Sequence, residues 1–149
     1  MDELAVLRAV HVTGAVLLLG NVTVTGFWAT FLYRARGEVP FRPVARAIMW
    51  TDLVFTVAGG VMLTVSGILL TMRQGYRIME TPWLLKGIAA LALSTLLWLV
   101  LLLPDQLRLE RLAPDDQHSL RRLFLRWSVV GWLATLVLFY GLWMMVGKG

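Results

Sequence analysis

Residues 4–33 read LAVLRAVHVTGAVLLLGNVTVTGFWATFLY, an apolar run longer than the ~20 residues a helix needs to cross a hydrocarbon layer. No proline interrupts it. Three more runs follow, Ile48–Met72, Trp83–Leu103 and Phe124–Val146, each long enough to span a bilayer. Of the 149 residues, 58% are hydrophobic, more than a soluble domain of this length can hide from water. The pattern predicts an all-α membrane protein, a four-transmembrane up-down helix bundle. A single domain covers 1–149, with helices at about 4–35, 43–73, 82–112 and 115–146.

The first run does not read as a signal peptide. It opens on Asp2 and Glu3 instead of a basic segment, and it far exceeds the 7–15 residues of a signal's apolar core. Cysteine is absent, which excludes disulfides, thiolate metal sites and thiol catalysis. The net charge of +5 comes from arginines flanking the helices and does not point to nucleic acid. Arg34, Arg36, Arg42 and Arg46 lie between the first two helices, and Arg108, Arg111, Arg121, Arg122 and Arg126 around the junction of the last two. Arg8, Arg73, Arg77 and Lys148 stand at the other end. The positive-inside rule therefore places both termini outside.

Local signals refine the boundaries. Thr81-Pro82 predicts an N-cap followed by proline at the first helical position. Pro114 with Asp115 and Asp116 predicts a second such start, its carboxylates at the positive end of the helix dipole, and Arg42-Pro43 predicts a third. Pro104 is expected to kink the third helix by removing one backbone hydrogen bond. Trp28, Trp50, Trp127 and Tyr33 are placed at the inner interface, and Trp83, Tyr76, Tyr140 and Trp143 at the outer one. Trp98 and Trp132 lie deeper.

Polar and small residues should trace the bundle interior, because lipid-facing positions are apolar. They form stripes: His11, Gly14, Asn21, Thr25 and Trp28; Asp52, Thr56, Gly59 and Ser66; Lys86 and Ser94; Ser128, Gly131 and Thr135. For the glycines, serines and threonines the expectation is close helix packing. The ionisable members carry more information. His11 lies about 10 Å below one end of the hydrocarbon layer, a costly position that marks a functional site. Lys86 has a similar depth on the third helix, and Arg8 is one turn from His11, so the three are expected to form a basic cluster. Each has a plainer reading. Lys86 can snorkel to the interface, Arg8 can anchor there, and Asp52 is expected to pair with an arginine at the inner end. His118 reads as solvated.

One buried histidine beside basic groups suits a haem: neutral imidazole ligates the iron, and cations pair with the propionates. His11 would be the axial ligand, with Lys86 and Arg8 on the propionates or on an anionic substrate. A second ligand would come from a methionine (Met62, Met72, Met144 and Met145 have suitable depth), water, lysine, or His11 of a second copy. A homodimer would use the small residues of the second helix as its interface. Other chemistry has less support. His11 has no partner at metal-ligand spacing, no serine or threonine has a base beside it, and no glycine-rich phosphate loop is present.

The segments LRAVHVTGAVLLLGNVTVTGFW, TDLVFTVAGGVMLTVSG and TPWLLKGIAALALSTLLWL resemble a bacterial family of predicted integral membrane proteins of unknown function, over nearly the whole chain. A more distant resemblance is to the HemJ-type protoporphyrinogen oxidases and to copper-resistance-D-type membrane domains. The HemJ-type resemblance implies haem b on His11 and a catalytic role for Lys86. Tyr33-Arg34 and Trp83-Leu84-Leu85 stand where that family has further histidines, and these departures weigh against the oxidase activity more than against haem. The expected function is thus a haem b- or porphyrin-binding electron-transfer protein or oxidoreductase, with quinone or porphyrin as partner. The alternative is a cofactor-free bundle for transport, assembly or partner binding, whose polar seam from His11 through Asn21 and Thr25 to Asp52 conducts protons or a small solute.

Overall fold

Each of the four apolar runs is a long helix in the computed structural model, which describes residues 2–38, 41–111 and 116–147, apart from the side chains of Phe41 and Arg42. They are α1 (Glu3–Arg34), α2 (Phe41–Gln74), α3 (Pro82–Arg111) and α4 (Gln117–Gly147). A 3₁₀ turn at Ile78–Glu80 precedes α3. No strand occurs among the described residues. At most 22% of the residues in any spanning stretch are buried inside the chain. The remaining apolar surface has only lipid to face, so the helices are apolar almost all round.

The bundle is built as two hairpins. α1 packs along α2, and α3 along α4. The hairpins meet mainly through α1 against α4, and through the end of α3 against α2. The first part of α3 and α2 scarcely touch. Backbone approach explains the tight pairs. A Cβ on Gly14 would lie 2.7 Å from the Leu63 amide nitrogen, and one on Gly59 would lie 2.8 Å from that of Leu18. In the other hairpin a Cβ on Gly141 would lie 3.0 Å from that of Ala90, and Met145 fills the space over Gly87.

This packing reassigns the homodimer surface suggested by the sequence. Gly59, Ser66 and Gly67 of α2 are occupied by α1 of the same chain. Met145 and Met62 serve in packing, against Gly87 and Gly14, and Met72 is exposed.

The ends of the helices depart from expectation in instructive ways. Pro82 does begin α3, but the Thr81 hydroxyl donates back to the Arg77 carbonyl and does not cap the helix. Pro114 and Asp115 lie outside the described residues; Asp116 caps α4, accepting from the Ser119 amide at 2.9 Å. Bonding to the Ser119 hydroxyl and amide holds the Asp116 carboxyl below the usual carboxylate range.

Pro104 does more than remove one bond. The helix widens into a π turn at Trp98–Leu102, and the Leu103 amide reaches five residues back to the Trp98 carbonyl. An unbroken α-helix would continue the face of Ser94 through Trp98, Leu101 and Asp105. The extra residue in the π turn moves that face onto Leu102 and Gln106. Asp105, 1% exposed, then turns toward α4, where Arg126 grips its carboxylate with two nitrogens (Nε to Oδ2, 2.7 Å). Such bidentate pairing is strong and geometrically specific.

Candidate functional site

His11 sits in the α1–α2 seam. Its Nδ1 lies 3.1 Å from the hydroxyl oxygen of Ser66, a residue only 2% exposed. The Ser66 hydroxyl also lies within bonding distance of the Met62 carbonyl. In the tautomer protonated at Nδ1 the ring donates to Ser66 and Nε2 keeps its lone pair. Gly67 makes room for this: a Cβ there would lie 3.0 Å from the ring's Cε1.

The basic cluster expected around His11 is not brought together. Arg8 is exposed on α1. Lys86 is exposed on α3, whose buried stripe is Leu84, Gly87, Ala90 and Ser94. Small residues fix which side of α3 meets α4, and they turn Lys86 outward. No described hydrogen bond or ion pair joins His11, Arg8 and Lys86. The two cations expected beside His11 are thus exposed and unbonded to it. Among the described residues, no group of three His, Cys, Asp or Glu side chains is placed to hold a metal ion.

Asp52 is buried, at 4% exposure, and its partners correct a second expectation. They are neutral, not arginines. Asn21 Nδ2 of α1 donates to Oδ1 at 2.9 Å, Gln106 Nε2 of α3 donates to Oδ2 at 3.1 Å, and the Thr56 hydroxyl lies 3.4 Å from Oδ1. One carboxylate thus joins α1, α2 and α3. The arginine-paired carboxylate in the chain's interior is Asp105.

Above this cluster lies a cavity of about 390 Å³ to which all four helices contribute. On α3 it runs from Leu91 to Gln106, about 22 Å at 1.5 Å per residue. Toward the end that bears the termini its walls are mostly apolar, with Val61, Val65, Leu91 and Leu138 beside Thr64. Toward the arginine-rich end they are polar, with Asp52, Thr56, Gln106 and Ser128. Two tryptophans of the wall, Trp98 of the π turn and Trp127, have buried indole N–H groups without a hydrogen-bond partner among the described residues, and so does the Ser128 hydroxyl. Because α2 and the first part of α3 scarcely touch, the slot lies open to the bilayer on that side.

Four apolar spans carrying small and polar residues at these positions also match a family model along nearly the whole sequence. The chain belongs to DUF2269, the predicted integral membrane proteins, whose model matches residues 5–149. No curated protein and no solved structure matches it. Membership in DUF2269 carries insertion in a membrane and no link to the HemJ-type or copper-resistance-D-type proteins.

In this DUF2269 chain the polar stripes read from sequence hold for Gly14, Thr25, Asp52, Gly59, Ser66, Ser94 and Thr135, all buried. They fail for Trp28, which is 58% exposed, and for Lys86. Gln106, Trp98 and Trp127 were not singled out as site residues. The signal for Trp98 was its depth, too great for an interface belt. Gln106 gave none, since only the π turn rotates it inward.

Proposed function

We propose that this chain is a membrane-embedded binding protein that takes the apolar part of a lipid-soluble molecule into the slot between its two hairpins. The observation that carries this reading is the slot itself, about 22 Å long, lined by all four helices and predominantly apolar, with Asp52 and Gln106 at one end. Binding pockets combine apolar walls with a few convergent polar groups in this way. Taking the arginine-rich end as cytoplasmic, the polar end lies toward the cytoplasm, and the chain sits in the inner membrane of a bacterium. The ligand enters sideways from the bilayer, between α2 and α3.

Gly60 provides the test, because it lines the slot and a Cβ there meets nothing within 4 Å. In Gly60→Phe the ring fills the slot while the helices keep their packing. Native mass spectrometry of protein extracted in mild detergent is expected to find a lipid-soluble molecule held by wild type and missing from Gly60→Phe. Equal retention by both proteins would sink the reading.

A second reading rests on His11. Nδ1 bonds to Ser66, and in the tautomer protonated there Nε2 offers a lone pair, the arrangement in which protein histidines ligate metals. Haem b on His11 would supply one-electron chemistry, and Arg8 and Lys86 take no part in this version. Reduced-minus-oxidised spectra of protein expressed with ample haem are expected to show Soret and α bands that His11→Ala abolishes. A spectrum without those bands removes this reading and leaves the slot untouched.

A further inference from the structure

Two carboxylates are buried among the described residues, Asp105 and Asp52, and the chain equips them differently. Arg126 grips Asp105 with two nitrogens, and Arg108 lies 3.6 Å from it. Asp52 has no cation as a partner among the described residues; Asn21, Thr56 and Gln106 give it neutral donors. Their positions differ too. Asp52 lines the slot and Asp105 does not. Among the described residues of the lining, Asp52 alone has an ionisable side chain. Arginines at that end of the bundle are engaged elsewhere, Arg46 with Glu110 at 2.6 Å and Arg126 with Asp105. The slot therefore holds one acid and no counter-charge of its own.

A buried charge is ordinarily paired, and an ionisable group inside a membrane bundle marks a substrate or ion pathway. Asp105 shows the paired arrangement, used to join two helices. At Asp52 the pairing is left to something that enters the slot. The carboxylate has room for a further donor. Oδ1 serves Asn21 and Thr56, whereas Oδ2 serves Gln106 alone, and each carboxylate oxygen has about two lone-pair sites. An anionic head would meet Asp52 as a like charge, with no arginine, lysine or histidine in the lining to hold it. A neutral head would leave the acid unbalanced. An ammonium both donates to the carboxylate and offsets its charge, and that attraction is stronger away from water than in it.

Resting on the slot reading, we infer that the ligand is a lipophilic amine. Its ammonium pairs with Asp52, and its hydrocarbon part lies along Val61 and Leu91 in the apolar stretch of the slot.

Three probes of one chain length test this with the protein reconstituted in nanodiscs of zwitterionic lipid: decylammonium, decanol and decanoate. Binding is read as probe retained above that of protein-free discs. Decylammonium is expected to bind saturably, at least about tenfold more tightly than decanol, as a hydrogen bond to a charged group allows. In Asp52→Asn that preference is expected to vanish while decanol binds as before, a control for folding. Should Asp52→Asn lose decanol as well, Thr56→Lys takes its place. It fixes an ammonium on the slot lining one turn from Asp52 and is expected to abolish the same preference. Equal affinities of wild type for decylammonium and decanol, or a preference that survives in the variant, overturn the charge assignment. Tighter binding of decanoate than of decylammonium overturns it too. If Gly60→Phe still blocks the probes in those cases, the slot itself stands. Failure of every probe to bind saturably, or binding indifferent to Gly60→Phe, overturns both.

Discussion

Gly14→Ala is expected to disrupt the α1–α2 hairpin, whereas the same change at Gly60 leaves it intact. The two glycines offer the same side chain to very different surroundings. A methyl at Gly14 lands 2.7 Å from the Leu63 amide nitrogen and 3.0 Å from the Gly59 carbonyl oxygen. Both obstacles are backbone, so no rotamer change relieves them, and the helices must part. Overpacking of this sort costs about 1–3 kcal/mol. The damage also spreads along the seam. Ser66 and Asp52 stand seven residues to either side of Gly59, so the His11–Ser66 and Asn21–Asp52 bonds flank this crossing point. Separating the helices there lengthens both. At Gly60 nothing lies within 4 Å, and alanine gains up to about 1 kcal/mol in helix propensity. Thermal unfolding in detergent, followed by loss of helical circular dichroism, should show a much lower midpoint for Gly14→Ala and none of that loss for Gly60→Ala. Equal midpoints would mean that the close approach does not hold the hairpin together.

The four helices and their interior stripes were legible in the sequence because a bilayer leaves few alternatives. Backbone groups must be satisfied within each span, and small or polar residues must face protein. Gly14, Gly59, Ser66 and Ser94 lie where those rules put them. The site was harder to read, for two physical reasons. Depth alone placed Lys86 beside His11, but membership of a face depends on which residues lie at the contact. On α3 these are Gly87, Ala90 and Ser94, which leave Lys86 outside. Pro104 announced an irregularity without its form. A kink would have kept Gln106 off the face of Ser94, whereas the π turn brings it round to Asp52. His11 lies part-buried in a helix, where its apolar run put it. Its surroundings are Ser66 and Gly67 of the neighbouring helix, and not a basic cluster.

Asp52→Leu is expected to be among the most damaging single changes in the chain, and Asp52→Asn among the milder ones at the same position. The carboxylate is the acceptor shared by Asn21 of α1 and Gln106 of α3. Leucine strands the Gln106 amide, at about 1–3 kcal/mol, whereas Asn21 keeps the backbone carbonyl of residue 52 and the Thr56 oxygen as acceptors. The bonds as interhelical glue are worth less, about 0.6 kcal/mol on average in a membrane protein, so the cost comes chiefly from Gln106. Losing the bonds also loosens the end of α3 from α2, opening the polar end of the slot. Asparagine keeps one oxygen for Asn21 and Thr56, and turning the Gln106 amide over lets its oxygen accept from the new amide. Unfolding midpoints should therefore fall in the order wild type, Asp52→Asn, Asp52→Leu. Adding Gln106→Leu to Asp52→Leu should recover part of the loss, because one stranded donor is then removed. If the double variant is as unstable as the sum of its parts, Asp52 and Gln106 do not act as a bonded pair, and the junction of the two hairpins must be held by their apolar contacts alone.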